Sequence, residues 1–206
     1  RHTTRVTRLR HQILAGVALT LSVTLGATMA WLDVSPWVLI VVSSLVSSAW
    51  ATTALAADMK PTGSVFVIFS VAAVGSLNNP VHPLLAFAIA GSAALLCLGL
   101  GQLSHLIGEG PGGDAKESEH PKRAPDAGRV PWRRLRVEAR RFFFSPLLAG
   151  VLGLISVTVF DPLSHSYWAM VASVAPLVNS RFKVQYYRAI ERVLATLTGI
   201  AVAGFL

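Results

Sequence analysis

Apolar residues in this chain neither alternate nor keep to one helical stripe; they come in long runs separated by short polar interruptions. A helix needs about 20 mostly apolar residues to cross roughly 30 Å of hydrocarbon at about 1.5 Å per residue. On that measure the pattern predicts spans over Ile13 to Leu32, Pro36 to Ala57, a shorter Gly63 to Asn79, and Leu84 to about Ile107. Residues 108–141 break the pattern. They are rich in Gly, Lys, Glu, Pro and Arg, cannot bury enough apolar surface to order themselves, and read as a flexible linker. Apolar runs resume at Phe142 to Phe160 and Ser166 to Val178, and a last one starts near Val193 and reaches Leu206. The expected fold is all-α, a polytopic transmembrane helical bundle. Its expected parts are a basic arm (1–12), a first four-helix membrane unit (13–107), the polar linker (108–141) and a second membrane unit (142–206). The final run has 14 residues and the chain begins with Arg1, so the expectation is a fragment whose second unit lacks its last helices.

Composition sharpens this picture. Of 206 residues 53% are hydrophobic and 14% charged, where a soluble domain carries about 25% charged residues. The mean hydropathy is +0.57. From His11 to Ile107 the charged side chains are Asp33, Asp58 and Lys60, and from Phe142 to Ser180 there is Asp161 alone. Disorder is excluded by the same numbers, and a disulfide scaffold by the single Cys97. A signal peptide is the competing reading of the first run, but such apolar regions are about 7–15 residues long.

The net charge of +8 is distributed one-sidedly. If each run crosses the bilayer, all 18 Lys and Arg fall in segments on the side where the chain starts: the arm, the Lys60 turn, the linker, and the stretch carrying Arg181, Lys183, Arg188 and Arg192. Positively charged loops are retained in the cytoplasm, so that side is expected to be cytoplasmic. Trp31, Trp37 and Trp168 fall at expected outer ends, Trp50 and Trp132 toward inner ones, as interfacial rings prefer.

An internal repeat is visible. Leu14-Ala15-Gly16-Val17 recurs as Leu148-Ala149-Gly150-Val151, and Ser22-Val23-Thr24 recurs in register as Ser156-Val157-Thr158, seven identities in eleven positions. Arginines precede each copy and an acidic residue follows it, Asp33 or Asp161. An even number of spans separates the copies, so they are expected to be parallel repeats. Ala86, Ala90 and Ala94 form a four-spaced strip that reads either as a seam lining a path or as ordinary bundle packing. In Val130 to Phe144, Trp132, Leu135, Ala139 and Phe142 share one helical face while Arg133, Arg134, Arg136, Arg140 and Arg141 occupy the rest. This suits a helix lying on the anionic inner leaflet, with nucleic-acid binding as the competing reading of a basic run.

The stretch Tyr167-Trp168-Ala169, followed by a polar segment and then Arg188 and Arg192 leading into Thr196 and Gly199, resembles the fusaric-acid-resistance-like (FUSC) family of integral membrane bound transporter domains. Ala195 stands where that family usually has Gly. The resemblance implies a bacterial inner-membrane protein of two related halves, in a family whose characterised members export aromatic carboxylic acids.

Export of an organic acid requires a place to receive a carboxylate. No Asp, Glu, Lys, Arg or His falls near the centre of an expected span, where one would by default be functional. Arg188 and Arg192, four apart, share a helical face from which a carboxylate can be paired; positive-inside anchoring is the plainer reading. Tyr167 and Trp168 are the accompanying candidates for an aromatic substrate. Asp33 and Asp161, at matching ends of the repeat, are the proton-coupling candidates, with a helix-cap role as the alternative. His82 and His165 are two further candidates, but both sit in expected loops. There is no phosphate-binding Gly loop, metal-ligand spacing or Ser/His/acid set, so neither enzymatic activity nor a cofactor is expected. The expected partners are the bilayer and its anionic lipids and a small organic anion, not nucleic acid; self-association into a homo-oligomer is left open. The rival to transport is a membrane-embedded assembly domain that binds a partner through the linker.

Overall fold

The computed structural model describes residues 5–57, 59, 64–106, 130–160, 167–178 and 190, and among these every regular element is helical. In chain order they are α1 (Arg5–Trp31), α2 (Pro36–Ala56), α3 (Val65–Gly75), α4 (Pro83–Leu106), α5 (Trp132–Phe160) and α6 (Tyr167–Val174), the last extended by a 3-10 turn over Ala175–Val178. Four helices are long and apolar enough to cross a membrane: Leu9–Trp31, Pro36–Ala56, Pro83–Leu103 and Trp132–Val159. The chain is therefore membrane-embedded in character.

The helix limits have local causes. Pro36 and Pro83 start α2 and α4, where a missing N–H costs nothing and φ is already helical. At the end of α1, Asp33 N donates to Ala30 O and Val34 N to Met29 O, both at 3.1 Å, with Asp33 in the left-handed region at φ 49°. This is a Schellman cap, with Asp in the place usually taken by Gly.

Two expected boundaries move. The basic arm is not a separate element from Arg5 onward, because α1 begins there. The basic segment before Phe142 is likewise continuous with the apolar run as one 29-residue helix, rather than a separate helix lying on a leaflet. Arg, Leu, Gln and Val contain no breaker, and extending a nucleated helix adds a hydrogen bond per residue fixed. The third expected span is shorter than drawn. With 11 residues, α3 is about 16 Å long, roughly half the hydrocarbon thickness.

Neighbours in sequence are not always neighbours in space. α1 packs along α3 and α4 but barely meets α2; α2 packs along α5 and α3; α6 packs on α5 and α3. The two expected membrane units thus share a long seam between α2 and α5. Successive helices run in opposite directions. Gln12 approaches Gly101 while Gly16 approaches Ala94 and Gly91 approaches Thr20, so α1 and α4 are antiparallel. Ser48 Oγ donates to Ala139 O, and Gly150 meets Ile40, so α2 and α5 are antiparallel too. His11 Nε2 lies 3.2 Å from Ala57 O, which puts the start of α1 beside the end of α2. The starts of α1 and α5 consequently lie at one end of the array, and every described arginine is in the first turns of these two helices. Trp31 and Trp37 flank the opposite end.

The repeat copies sit in different surroundings. Gly16 faces Ala94 of α4, whereas Gly150 faces Ile40 of α2 and Met170 of α6. Ser22 is buried and Ser156 exposed, because α1 is flanked by α3 and α4 while α5 is flanked by α2 and α6. The strip of Ala86, Ala90 and Ala94 lies on the face of α4 turned to α1, with Ala86 buried and the other two half-buried.

Candidate functional site

The interior sets buried hydroxyl side chains among its apolar ones. On α2 the large side chains Trp37, Val38, Val41 and Leu45 are exposed, while Ser43, Ser44 and Ser47 are fully buried. Lipid solvates the apolar face, so helix association falls to close-packed small residues and interhelical hydrogen bonds. Among the described residues the buried polar side chains are Thr20, Ser22, Ser43, Ser44, Ser47 and Ser64, all hydroxyls.

Successive α2 serines divide between two seams by helical periodicity. Ser44 and Ser48 continue the row of Ile40 toward α5; Ser44 Oγ donates to Ile40 O at 2.8 Å, and Ser48 Oγ donates across the seam to Ala139 O at 2.9 Å. Ser43 and Ser47 continue the row of Leu39 toward α3, since Leu39 meets Gly75 and the Ser47 and Ser64 hydroxyls hydrogen-bond each other. Ser64 is the N-cap residue of α3, yet its side chain makes no cap hydrogen bond. Ser43 Oγ is fully buried and has no hydrogen-bond partner. Such an orphan hydroxyl costs about 1–3 kcal/mol, and it lies one turn along from the Ser47–Ser64 pair. The apolar part of the core is a cluster of Ile40, Ala51, Ile68, Phe142, Met170, Val171 and Val174. The hydroxyls of this seam carry no charge, and all of them but that of Ser43 are engaged in hydrogen bonds.

If the Ser47–Ser64 bond joins α2 to α3, Ser47→Ala and Ser64→Ala should each cost about 0.6–1.7 kcal/mol in the membrane. The double variant should cost no more than the larger single one, because the second change removes nothing further. Unfolding midpoints of the reconstituted protein measure this; simple additivity would refute the coupling.

The residues marked by sequence fall elsewhere. Tyr167 and Trp168 come together with Phe69 of α3, with ring centroids 6.3 Å and 5.6 Å from it. Trp168 is 56% exposed, so this cluster lies on the outer surface of the α3–α6 contact rather than in the serine seam. Asp33 is exposed and closes α1. His82 Nδ1 accepts from Leu84 N–H at 3.3 Å at the start of α4, and its ring stands edge-on to Trp31 at 5.0 Å, tying α4 to α1. Arg188, Arg192, Asp161 and His165 lie outside the described residues. The serine seam was not singled out from the sequence, although its signal was present: Ser43-Ser44 and Ser47-Ser48 repeat at a spacing of four in a helix otherwise rich in Val and Leu.

Among the described residues no three His, Cys, Asp or Glu side chains gather as a metal site would require. Comparison of the chain with protein-family models, with curated proteins and with solved structures finds no match.

Proposed function

We propose that this protein is a secondary-transporter-like membrane protein that exports a small, aromatic organic anion across a bacterial inner membrane, with its arginine-bearing end in the cytoplasm. The observation that carries the reading is the hydroxyl-lined seam between α2, α3 and α5, holding a fully buried Ser43 hydroxyl with no partner. A neutral, hydrogen-bonding interior lets a carboxylate pass without holding it as a buried cation would, since leaving must be as easy as entering. The resemblance of the Tyr167 to Gly199 stretch to aromatic acid exporters supports the substrate class. The one-sided arginines support the orientation, and Arg188 and Arg192 are the residues proposed to gather the anion on the cytoplasmic side.

The test is efflux of a panel of aromatic carboxylic acids from cells carrying the complete protein, against a deletion strain. Wild-type protein should confer resistance to at least one acid, and Arg192→Ala should abolish it at unchanged membrane abundance. Undiminished export by Arg188→Ala/Arg192→Ala protein would reject the arginine role. No efflux across the panel, with a specific protein captured by residues 108–141, would favour the assembly-domain reading instead.

A further inference from the structure

The first ten residues of α5 carry a charge arrangement that the transport reading leaves unused. α5 has 29 residues, about 43 Å at 1.5 Å each, against roughly 30 Å of hydrocarbon. The apolar stretch from Phe142 to Phe160 takes up about 28 Å of that thickness. Residues 132–141 continue the same helix toward the end of the array where α1 starts, with Ala139 level with Ser48 of α2.

The arginines all look outward. At 100° per residue, Arg133, Arg134, Arg136, Arg140 and Arg141 span an arc of about 160°, opposite the face on which Leu135, Ala139 and Phe142 turn toward the rest of the array and Ala139 O accepts from Ser48. Arg133, Arg136 and Arg140 form one exposed strip. Trp132, 69% exposed, sits at its outer end with the Arg136 guanidinium 5.8 Å from its ring centroid. The acid of this segment, Glu138, lies off the strip and pairs with Arg141 at 3.8 Å.

We propose that the strip of Arg133, Arg136 and Arg140, with Trp132, is a binding site for the headgroup phosphate of an anionic phospholipid. Guanidinium groups bind phosphate oxygens in a bidentate fork, and an indole prefers headgroup depth. Three arginines in a row repel the choline or ethanolamine cation of a zwitterionic lipid, so the site selects a headgroup with net negative charge. The inference requires only that α5 spans the bilayer and is independent of any transported substrate.

Lipid binding to the full chain in neutral detergent, measured by native mass spectrometry with phosphatidylglycerol against phosphatidylcholine, tests it. Each arginine at an anionic surface is worth about fivefold in affinity. Arg133→Gln/Arg136→Gln/Arg140→Gln protein should therefore lose phosphatidylglycerol affinity by about 100-fold, with phosphatidylcholine retention unchanged. The triple Lys variant, which keeps the charge but not the fork, should retain an intermediate affinity and control for misfolding. Arg10→Gln, which removes a cation from α1 at the same end, should change affinity by less than about fivefold. Wild-type affinity in the triple Gln variant would overturn the proposal, as would an equal loss from Arg10→Gln, which would mean diffuse attraction. Displacement of the lipid by inorganic phosphate at matched ionic strength would show a plain anion site and reject the lipid assignment.

Discussion

Gly26→Ala should destabilise the folded helix array by about 1–3 kcal/mol, the cost of overpacking a well-fitted contact. Gly99→Ala should leave it unchanged or slightly more stable. A β-carbon on Gly26 would stand 2.8 Å from the Val71 carbonyl oxygen, 3.1 Å from Val74 Cβ and 3.2 Å from the Gly75 amide nitrogen. Two of these are backbone atoms of α3, so relief requires moving one helix away from the other along their whole contact. Gly150 is the instructive comparison. Its added β-carbon would approach Ile40 Cγ2 at 2.8 Å and Met170 Cγ and Sδ at 3.0 Å. These are side-chain atoms that can rotate, and the unbranched Met adapts readily, so Gly150→Ala should fall between the other two. Gly99 has nothing within 4 Å of the new atom, leaving only the gain in helix propensity of Ala over Gly. Thermal unfolding of the three variants in one lipid or detergent measures the order; Gly26→Ala as stable as Gly99→Ala would mean that α1 and α3 do not meet at this contact.

Ser43→Ala should make the protein more stable by about 1–3 kcal/mol while impairing export. The substitution removes a buried hydroxyl that has no partner, and so removes its desolvation penalty. Neighbouring serines should behave in the opposite sense: Ser48→Ala gives up a bond to Ala139 O across the α2–α5 seam, at a cost of about 0.6–1.7 kcal/mol. A residue whose removal stabilises the fold and weakens activity follows the stability and activity trade-off expected of functional positions. The check is to melt both variants and measure efflux of the same acids at matched abundance. Destabilisation by Ser43→Ala would show that its hydroxyl is bonded in the membrane, and full export by a stabilised variant would separate the orphan from function.

Hydropathy located the long helices because, in a bilayer, it reports contact with lipid. The expected second and fourth runs end within a residue or so of α2 and α4. It could not report which helices touch, since lipid is as apolar as Leu and helix pairing is decided by small residues and hydroxyls. That is why the α2–α5 seam, built on Ser44, Ser48, Ala139 and Gly150, had no expression in the apolar pattern. In sequence the arginine-rich leads of α1 and α5 resemble an arm and a surface helix because charge ends an apolar run without ending a helix. The His82 cap and the left-handed Asp33 were ambiguous for another reason: the same polar loop residues serve as titrating groups or as helix ends, and only backbone geometry separates the two roles.

The interposition of α3 between α1 and α2 bears on how the protein is made. Two helices synthesised in succession ordinarily close on each other as a hairpin while the chain is still emerging. Here α1 and α2 have little to close on until residue 75 has entered the bilayer, and α2 lacks its most extensive partner until α5 arrives, across residues 107–131, well over a hundred residues after α1 began. The hydroxyls of Ser43, Ser44, Ser47 and Ser48 must meanwhile wait against lipid or against whatever shelters nascent membrane segments. Biogenesis of this chain is thus an assembly of late-arriving neighbours rather than a succession of hairpins.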